Sequence, residues 1–154
     1  MVTSTHNRTV GDPLALEQQV CFALAVASRT VISVYRPVLE PLGLTHPQYL
    51  VMLALWGAEP LSLTELSRML ELDAGTLSRL LKRLEAAGLV RRDRNPTDER
   101  SLAVALTERG RALREQSLSV PTTVLGRLDM DLADLVELRD RLTEVISAAK
   151  AAHD

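Results

Sequence analysis

Apolar residues recur at three- and four-residue steps near the start of the chain: Leu16, Val20, Leu24, Ala27, Val31 and Val34. That spacing predicts an amphipathic helix over residues 14–36, broken by Pro37 and Pro41 and followed by a turn at Gly43. Thr45-His46-Pro47-Gln48 opens a second helix. Thr45 can cap it, Gln48 completes a capping box, and proline is tolerated in the first turn, where its missing N–H has no partner to lose. This helix runs to about Trp56, ended by Gly57 and Pro60. Ser62-Leu63-Thr64-Glu65 is a second capping box, opening a short helix to about Leu70 with Leu63, Leu66 and Leu70 inward.

Asp73 caps a helix from Ala74 to Ala87, closed by Gly88. Its apolar stripe is Leu77, Leu80, Leu81 and Leu84, and its other face carries Thr76, Ser78, Arg79, Lys82 and Arg83. Residues 89–93 and 101–106 are two short runs around an Asn95-Pro96-Thr97-Asp98 turn, the pattern of a β-hairpin. Thr107 caps a helix to about Ser119, broken by Pro121, and a last helix runs from about Asp131 to Ala149. Residues 1–13 read as a flexible tail and 14–154 as a single domain.

Composition adds three points. Aromatics are 3% of the 154 residues, so the core is aliphatic. The longest apolar run, Tyr49 to Ala58, is far short of the about 18–20 residues of a membrane span, and no signal peptide is visible. The single cysteine, Cys21, has no partner for an internal disulfide, which points to a reducing cytoplasm.

The net charge of −2 argues against a nucleic-acid binder, but its distribution does not. Residues 74–114 hold ten Lys/Arg against five Asp/Glu, a net +5, which leaves −7 on the rest of the chain. A basic middle in an acidic body fits an anion-binding surface, DNA above all; a solvated charged face is the plain alternative.

A short helix, a tight turn, a second helix and a hairpin in that order make a winged helix-turn-helix, here within a mainly α chain. The second helix has the length to enter a major groove, where Arg79, Lys82 and Arg83 meet phosphates or base edges. The hairpin tip from Arg94 to Arg100 can reach the adjacent minor groove. The helices of 14–44 and 107–154 are too apolar to stand alone, and a two-fold homodimer would use them to set the reading heads of 45–106 about 34–36 Å apart on a pseudo-palindromic double-stranded operator.

Several segments carry a family resemblance: residues 16–24, Tyr35-Arg36-Pro37, residues 42–50, residues 72–77, Leu81-Lys82-Arg83-Leu84-Glu85 and Asp98-Glu99-Arg100-Ser101. Together, in order, they resemble the MarR family of bacterial transcription regulators and, within it, the one-cysteine organic-hydroperoxide-sensing repressors (OhrR type). The resemblance implies a winged helix-turn-helix homodimer with a dimerisation region from both termini. It implies that Asp98 orients Arg100 into the minor groove and that Thr76, Lys82 and Arg83 are recognition-helix positions. It also implies that Cys21 is the peroxide-reactive thiol and Tyr35 its hydrogen-bonding tyrosine. Three positions depart from the pattern: His46 and Ala25 stand where the family has tyrosines, and Arg79 where proline is common.

On spacing alone, Cys21 reads as a small buried hydrophobe; the resemblance turns it into a sensor. Thiolate is the nucleophile towards peroxide, so donors near sulfur are needed. Tyr35 lies fourteen residues on, about 21 Å along a straight helix, so it meets Cys21 only across an antiparallel dimer. His46 can replace a phenol as donor, or be an ordinary first-turn residue. With no second cysteine, a low-molecular-weight thiol is the candidate resolving partner for oxidised Cys21. The competing reading is a repressor released by a small aromatic ligand, with Cys21 structural. An enzyme is disfavoured: His6, His46 and His153 form no catalytic or metal-ligand spacing, and no cofactor motif is present. A module that binds only protein remains a further alternative.

Overall fold

A computed structural model describes residues 11–95 and 98–153; the side chains of residue 95 and of residues 98–101 are also outside the description. Helix α1 spans Val20–Leu39, α2 His46–Gly57, α3 Leu63–Leu70 and α4 Ala74–Ala86. Strand β1 is Leu61–Ser62, β2 Val90–Asn95 and β3 Asp98–Leu106, followed by α5 Glu108–Ser117, α6 Val120–Leu128 and α7 Leu132–Ala151.

The core forms around α2. Its sequence is apolar on nearly every side, the mark of a helix enclosed by others. Tyr49, Val51, Met52 and Leu55 are buried, and Leu39, Leu66, Leu81 and Leu84 converge on the same cluster. Both capping boxes form as their spacing requires: Gln48 N–H donates to Thr45 Oγ1 at 3.4 Å and Glu65 N–H to Ser62 Oγ at 3.1 Å. All four leucines of the α4 stripe are buried. Each contributes about 1.5–3 kcal/mol by leaving water, so the helix's roll about its axis is set by its inner face.

The sheet has three antiparallel strands in the order β1-β3-β2. The hairpin β2–β3 is the one the alternating runs predict; residues 96–97 of its turn lie outside the described residues. The third strand, β1, is two residues long, with Leu61 opposite Val104 and Ser62 opposite Ala103.

Three expectations about helix ends are corrected. The first helix starts at Val20, after a 3-10 turn at Leu16–Gln18, and continues through Pro37 to Leu39. Proline in a last turn forfeits a single ladder bond, and here the burial of Leu39 and packing of Val38 offset it. Pro121 does not break a helix but sits in the first turn of α6, a helix the periodicity did not separate from its neighbours. The last helix extends to Ala151. Of the expected tail, residues 1–13, residues 1–10 lie outside the described residues.

Contrary to the run-length reading, among the described residues one stretch, Val20–Leu42, is long and apolar enough to cross a membrane by length and composition. Its longest unbroken apolar run, Val20 to Ala27, is eight residues; its mean is high because small and aliphatic residues surround Arg29 and Arg36. Its C-terminal part packs on the core through Val34, Tyr35, Val38 and Leu39. Its N-terminal part leaves Val20, Phe22, Leu24, Val31 and Ile32 exposed, and α7 buries no residue.

The base of the hairpin is closed by α5. Gly110 lies so near the α4–β2 connection that a Cβ there would fall 2.1 Å from the Leu89 carbonyl oxygen. Gly88 (φ +75°) makes the turn that brings this carbonyl in. Gly110→Ala is therefore expected to destabilise the fold by about 3 kcal/mol or more, because the obstacle is backbone and cannot rotate away. Urea unfolding of the variant against wild type measures it.

Candidate nucleic-acid interface and sensor region

Helix α4 is anchored at its start by Asp73. The carboxylate accepts from the Thr76 backbone N–H at 2.8 Å and from the Thr76 hydroxyl at 2.9 Å. These two bonds, with a smaller contribution from the Arg79 charge, hold the Asp73 carboxyl below its ordinary pKa. Thr76 thus has its hydroxyl proton committed to the cap and is half-buried. Arg79, Lys82 and Arg83 project outward and are exposed, because the leucines on the opposite face are inside. Ser78 is half-buried on the flank towards β2.

Arg92 changes the charge picture. It counts towards the basic middle of the sequence, yet its side chain is only 16% exposed. From β2 it reaches back to α4, where Nη2 donates to the Ser78 carbonyl at 3.3 Å and Nε lies 3.3 Å from Glu85. It braces the recognition helix against the hairpin instead of facing solvent. Arg91 faces the other way and pairs with Asp93 at 2.8 Å. Arg94 is exposed on β2. Asp98 and Arg100 fall on β3, and the expected pairing of their side chains lies outside the described residues.

The second group of candidates gathers at the start of α2. The Tyr35 and His46 rings meet edge to face with centroids 5.0 Å apart, and Tyr49 stands 6.1 Å from Tyr35. Tyr49 is a member the spacing argument missed; its place one helical turn after Thr45 was the available signal. Burial, and then the charge of Tyr35, push the Tyr49 phenol above its ordinary pKa. Burial pulls His46 below the ordinary histidine value, so at neutral pH it is a neutral donor or acceptor and not the imidazolium that would favour a thiolate most. Cys21 is exposed near the other end of α1, away from this cluster in its own chain, as helix length requires.

Two further side chains join this region to α5 and the hairpin, and neither carries a signal in the local sequence. Trp56, near the end of α2, donates its indole N–H to the Gly110 carbonyl at 2.9 Å. Glu59, in the loop after α2, accepts from the Leu106 backbone N–H and from Arg111 Nε, each at 2.6 Å.

A two-helix unit with an outward basic face, flanked by a hairpin, defines a winged helix-turn-helix regulator. Residues 44–102 match the MarR family model. The chain is 42% identical over 131 residues to the organic hydroperoxide resistance transcriptional regulator of Bacillus subtilis, covering 85% of this chain and 89% of that protein. Among solved structures it is similar to reduced AbfR bound to DNA (TM-score 0.78, 32% identity, 90% of this chain and 95% of that one). It is also similar to disulfide-formed AbfR (TM-score 0.62, 33% identity, 88% and 90%). The chain belongs to the MarR family and is a transcriptional regulator, not an enzyme.

The depressed pKa of His46 has a sign. The unfolded chain takes up the proton first, so the stability present above the ordinary pKa of 6.5 is lost as pH falls through the folded value. His46→Gln is expected to flatten the decline in stability between about pH 7 and 5 relative to wild type, read by urea midpoints across that range.

Proposed function

We propose that this chain is a DNA-binding repressor that acts as a homodimer and leaves its operator when an organic hydroperoxide oxidises Cys21. The observation that carries DNA binding is the outward, exposed face of α4, with Arg79, Lys82 and Arg83 held beside the wing. On this reading Arg79, Lys82 and Arg83 meet phosphates and base edges in the major groove, with Thr76 and Ser78 along their edge. Arg94 and Arg100, the latter oriented by Asp98, serve the minor groove. On this reading the protein works in the cytoplasm, where its operator lies.

The dimer is supported by the apolar residues that α1 and α7 leave exposed, among them Val20, Phe22, Leu24, Val145 and Ile146. Such surface is characteristic of an association face. Residues 14–44 and 107–154 form it, and 45–106 read DNA. Antiparallel α1 helices bring the Cys21 of one subunit towards the Tyr35 and His46 of the other, which supply donors to sulfur.

The chemistry is brief. The Cys21 thiolate attacks the distal peroxide oxygen, the O–O bond breaks, and the alkoxide leaves as alcohol after taking a proton. The product is a sulfenic acid. A low-molecular-weight thiol then attacks its sulfur, releasing water and leaving a mixed disulfide. Bulk and polarity at the dimer face move the two reading heads out of register with the operator. The relationship to a hydroperoxide resistance regulator supports this sensor reading.

One observation favours a second reading. A cleft of about 400 Å³ between α1 and α2 has Arg29, Arg36, Ile32, Ser33 and His46 in its lining, with a single carboxylate, Glu40. It has the polarity for a small aromatic acid, which would act as inducer while Cys21 only packs.

Fluorescence anisotropy with a duplex from upstream of the protein's own gene tests both. An organic hydroperoxide is expected to release wild type, a thiol reductant to restore binding, and Cys21→Ser to stay bound throughout. Equal release of both proteins would sink the Cys21 mechanism; release by an aromatic acid under reducing conditions would support the second reading. In the same assay, Arg83→Ala is expected to weaken binding to all sequences and reduce the salt slope by about 1.

A further inference from the structure

Glu59 occupies an unusual position for a carboxylate. It lies in the loop Ala58–Pro60, between the end of α2 and the start of β1, and its side chain is 22% exposed. Continuing the Leu61–Val104 register by two residues sets position 59 opposite Leu106, the last residue of β3. Strand β1 begins only at Leu61, so on this side no strand backbone reaches Leu106. The carboxylate takes over. Oε2 accepts from the Leu106 N–H, where a strand carbonyl would otherwise sit, and Oε1 accepts from Arg111 Nε on the first turns of α5. One residue thereby joins three elements: α2 through its backbone, and the base of the wing and α5 through its carboxylate.

The neighbouring contacts make this joint stiff. Trp56 ties α2 to Gly110 of α5, and the Thr107 hydroxyl donates to the Gly88 carbonyl at 2.6 Å, tying the start of α5 to the end of the recognition-helix segment. Without Glu59, however, the outer edge of β3 loses the bond at Leu106, and Arg111 becomes a free exposed cation.

We propose that Glu59 is a positioning residue for operator binding: its carboxylate latches the base of the wing to α2 and α5, holding the wing at the angle the recognition helix requires. The inference rests on the reading of the chain as an operator-binding protein. Its sign opposes simple electrostatics. Removing a negative charge from a DNA-binding protein strengthens its attraction to phosphate, whereas losing the latch weakens specific binding.

The test compares wild type, Glu59→Ala, Glu59→Gln and Arg111→Gln. Anisotropy is read on the operator duplex and on a scrambled duplex across a salt series, and hydrogen exchange is read at the Leu106 amide. A charge-assisted hydrogen bond is strong enough to move an equilibrium by about tenfold or more. Glu59→Ala is expected to lose about that much operator affinity, with the salt slope unchanged, scrambled-duplex binding equal or tighter, and Leu106 exchange faster. Glu59→Gln keeps an acceptor for Leu106 but not the charge, so a smaller loss is expected, matched by Arg111→Gln. A fifth protein carrying both Glu59→Gln and Arg111→Gln is expected to bind no worse than either of those two single variants.

If Glu59→Ala does not fold, Glu59→Gln, which keeps shape and volume, carries the test. Operator binding equal to or tighter than wild type in a folded variant overturns the proposal and leaves operator binding itself intact. Unchanged Leu106 exchange in Glu59→Ala overturns it as well. Wild type that binds no operator duplex sinks the underlying reading, and the proposal with it.

Discussion

The architecture turns on how closely α5 can approach the connection between the recognition helix and the wing. At Gly110 the two backbones leave no room for a side chain, since a Cβ would meet the Leu89 carbonyl at 2.1 Å. That approach lets Thr107 cap its own helix and bond Gly88 at once, and it puts the Gly110 carbonyl within reach of Trp56. The end of α4, the base of the wing, the start of α5 and the end of α2 are thereby held at one place. A bulkier residue would push α5 away and open these bonds together.

This junction gives the outward basic residues a fixed frame. A recognition helix reads DNA only if its roll and its angle to the wing are set before binding. The buried leucines set the roll, and Arg92 and the α5 junction set the angle. The sequence treats all arginines of the basic middle alike. In the fold they separate into exposed ones on α4 and an internal brace at Arg92, because strand alternation turns position 92 towards the helix and 91 away from it.

Local signals were the legible ones. Both capping boxes, the Asp73 cap, the Gly88 turn and the α4 stripe depend on residues within about four positions of each other, and all appear as the spacing predicts. Signals that depend on distant partners were not legible. Two residues cannot announce a strand; Leu61–Ser62 pair only because β3 arrives from more than forty positions away. Pro37 and Pro121 read as breaks, but a proline is neutral in a first turn, and in the last turn of α1 the burial of Leu39 offsets the bond that Pro37 forfeits. The aromatic group of Tyr35, His46 and Tyr49 was half visible: two of its members were picked by resemblance, and the third joined because α1 crosses the start of α2.

By itself, then, the sequence determined the helical segments with their caps, the hairpin, the outward basic face and the presence of a single thiol. Each of these follows from chemistry that neighbouring residues share along the chain. Only the tertiary structure decided which charges face solvent, that Arg92 and Glu59 make their bonds inside the fold, and that Tyr49 joins Tyr35 and His46. Those outcomes depend on where one backbone passes another, and no local spacing encodes that distance.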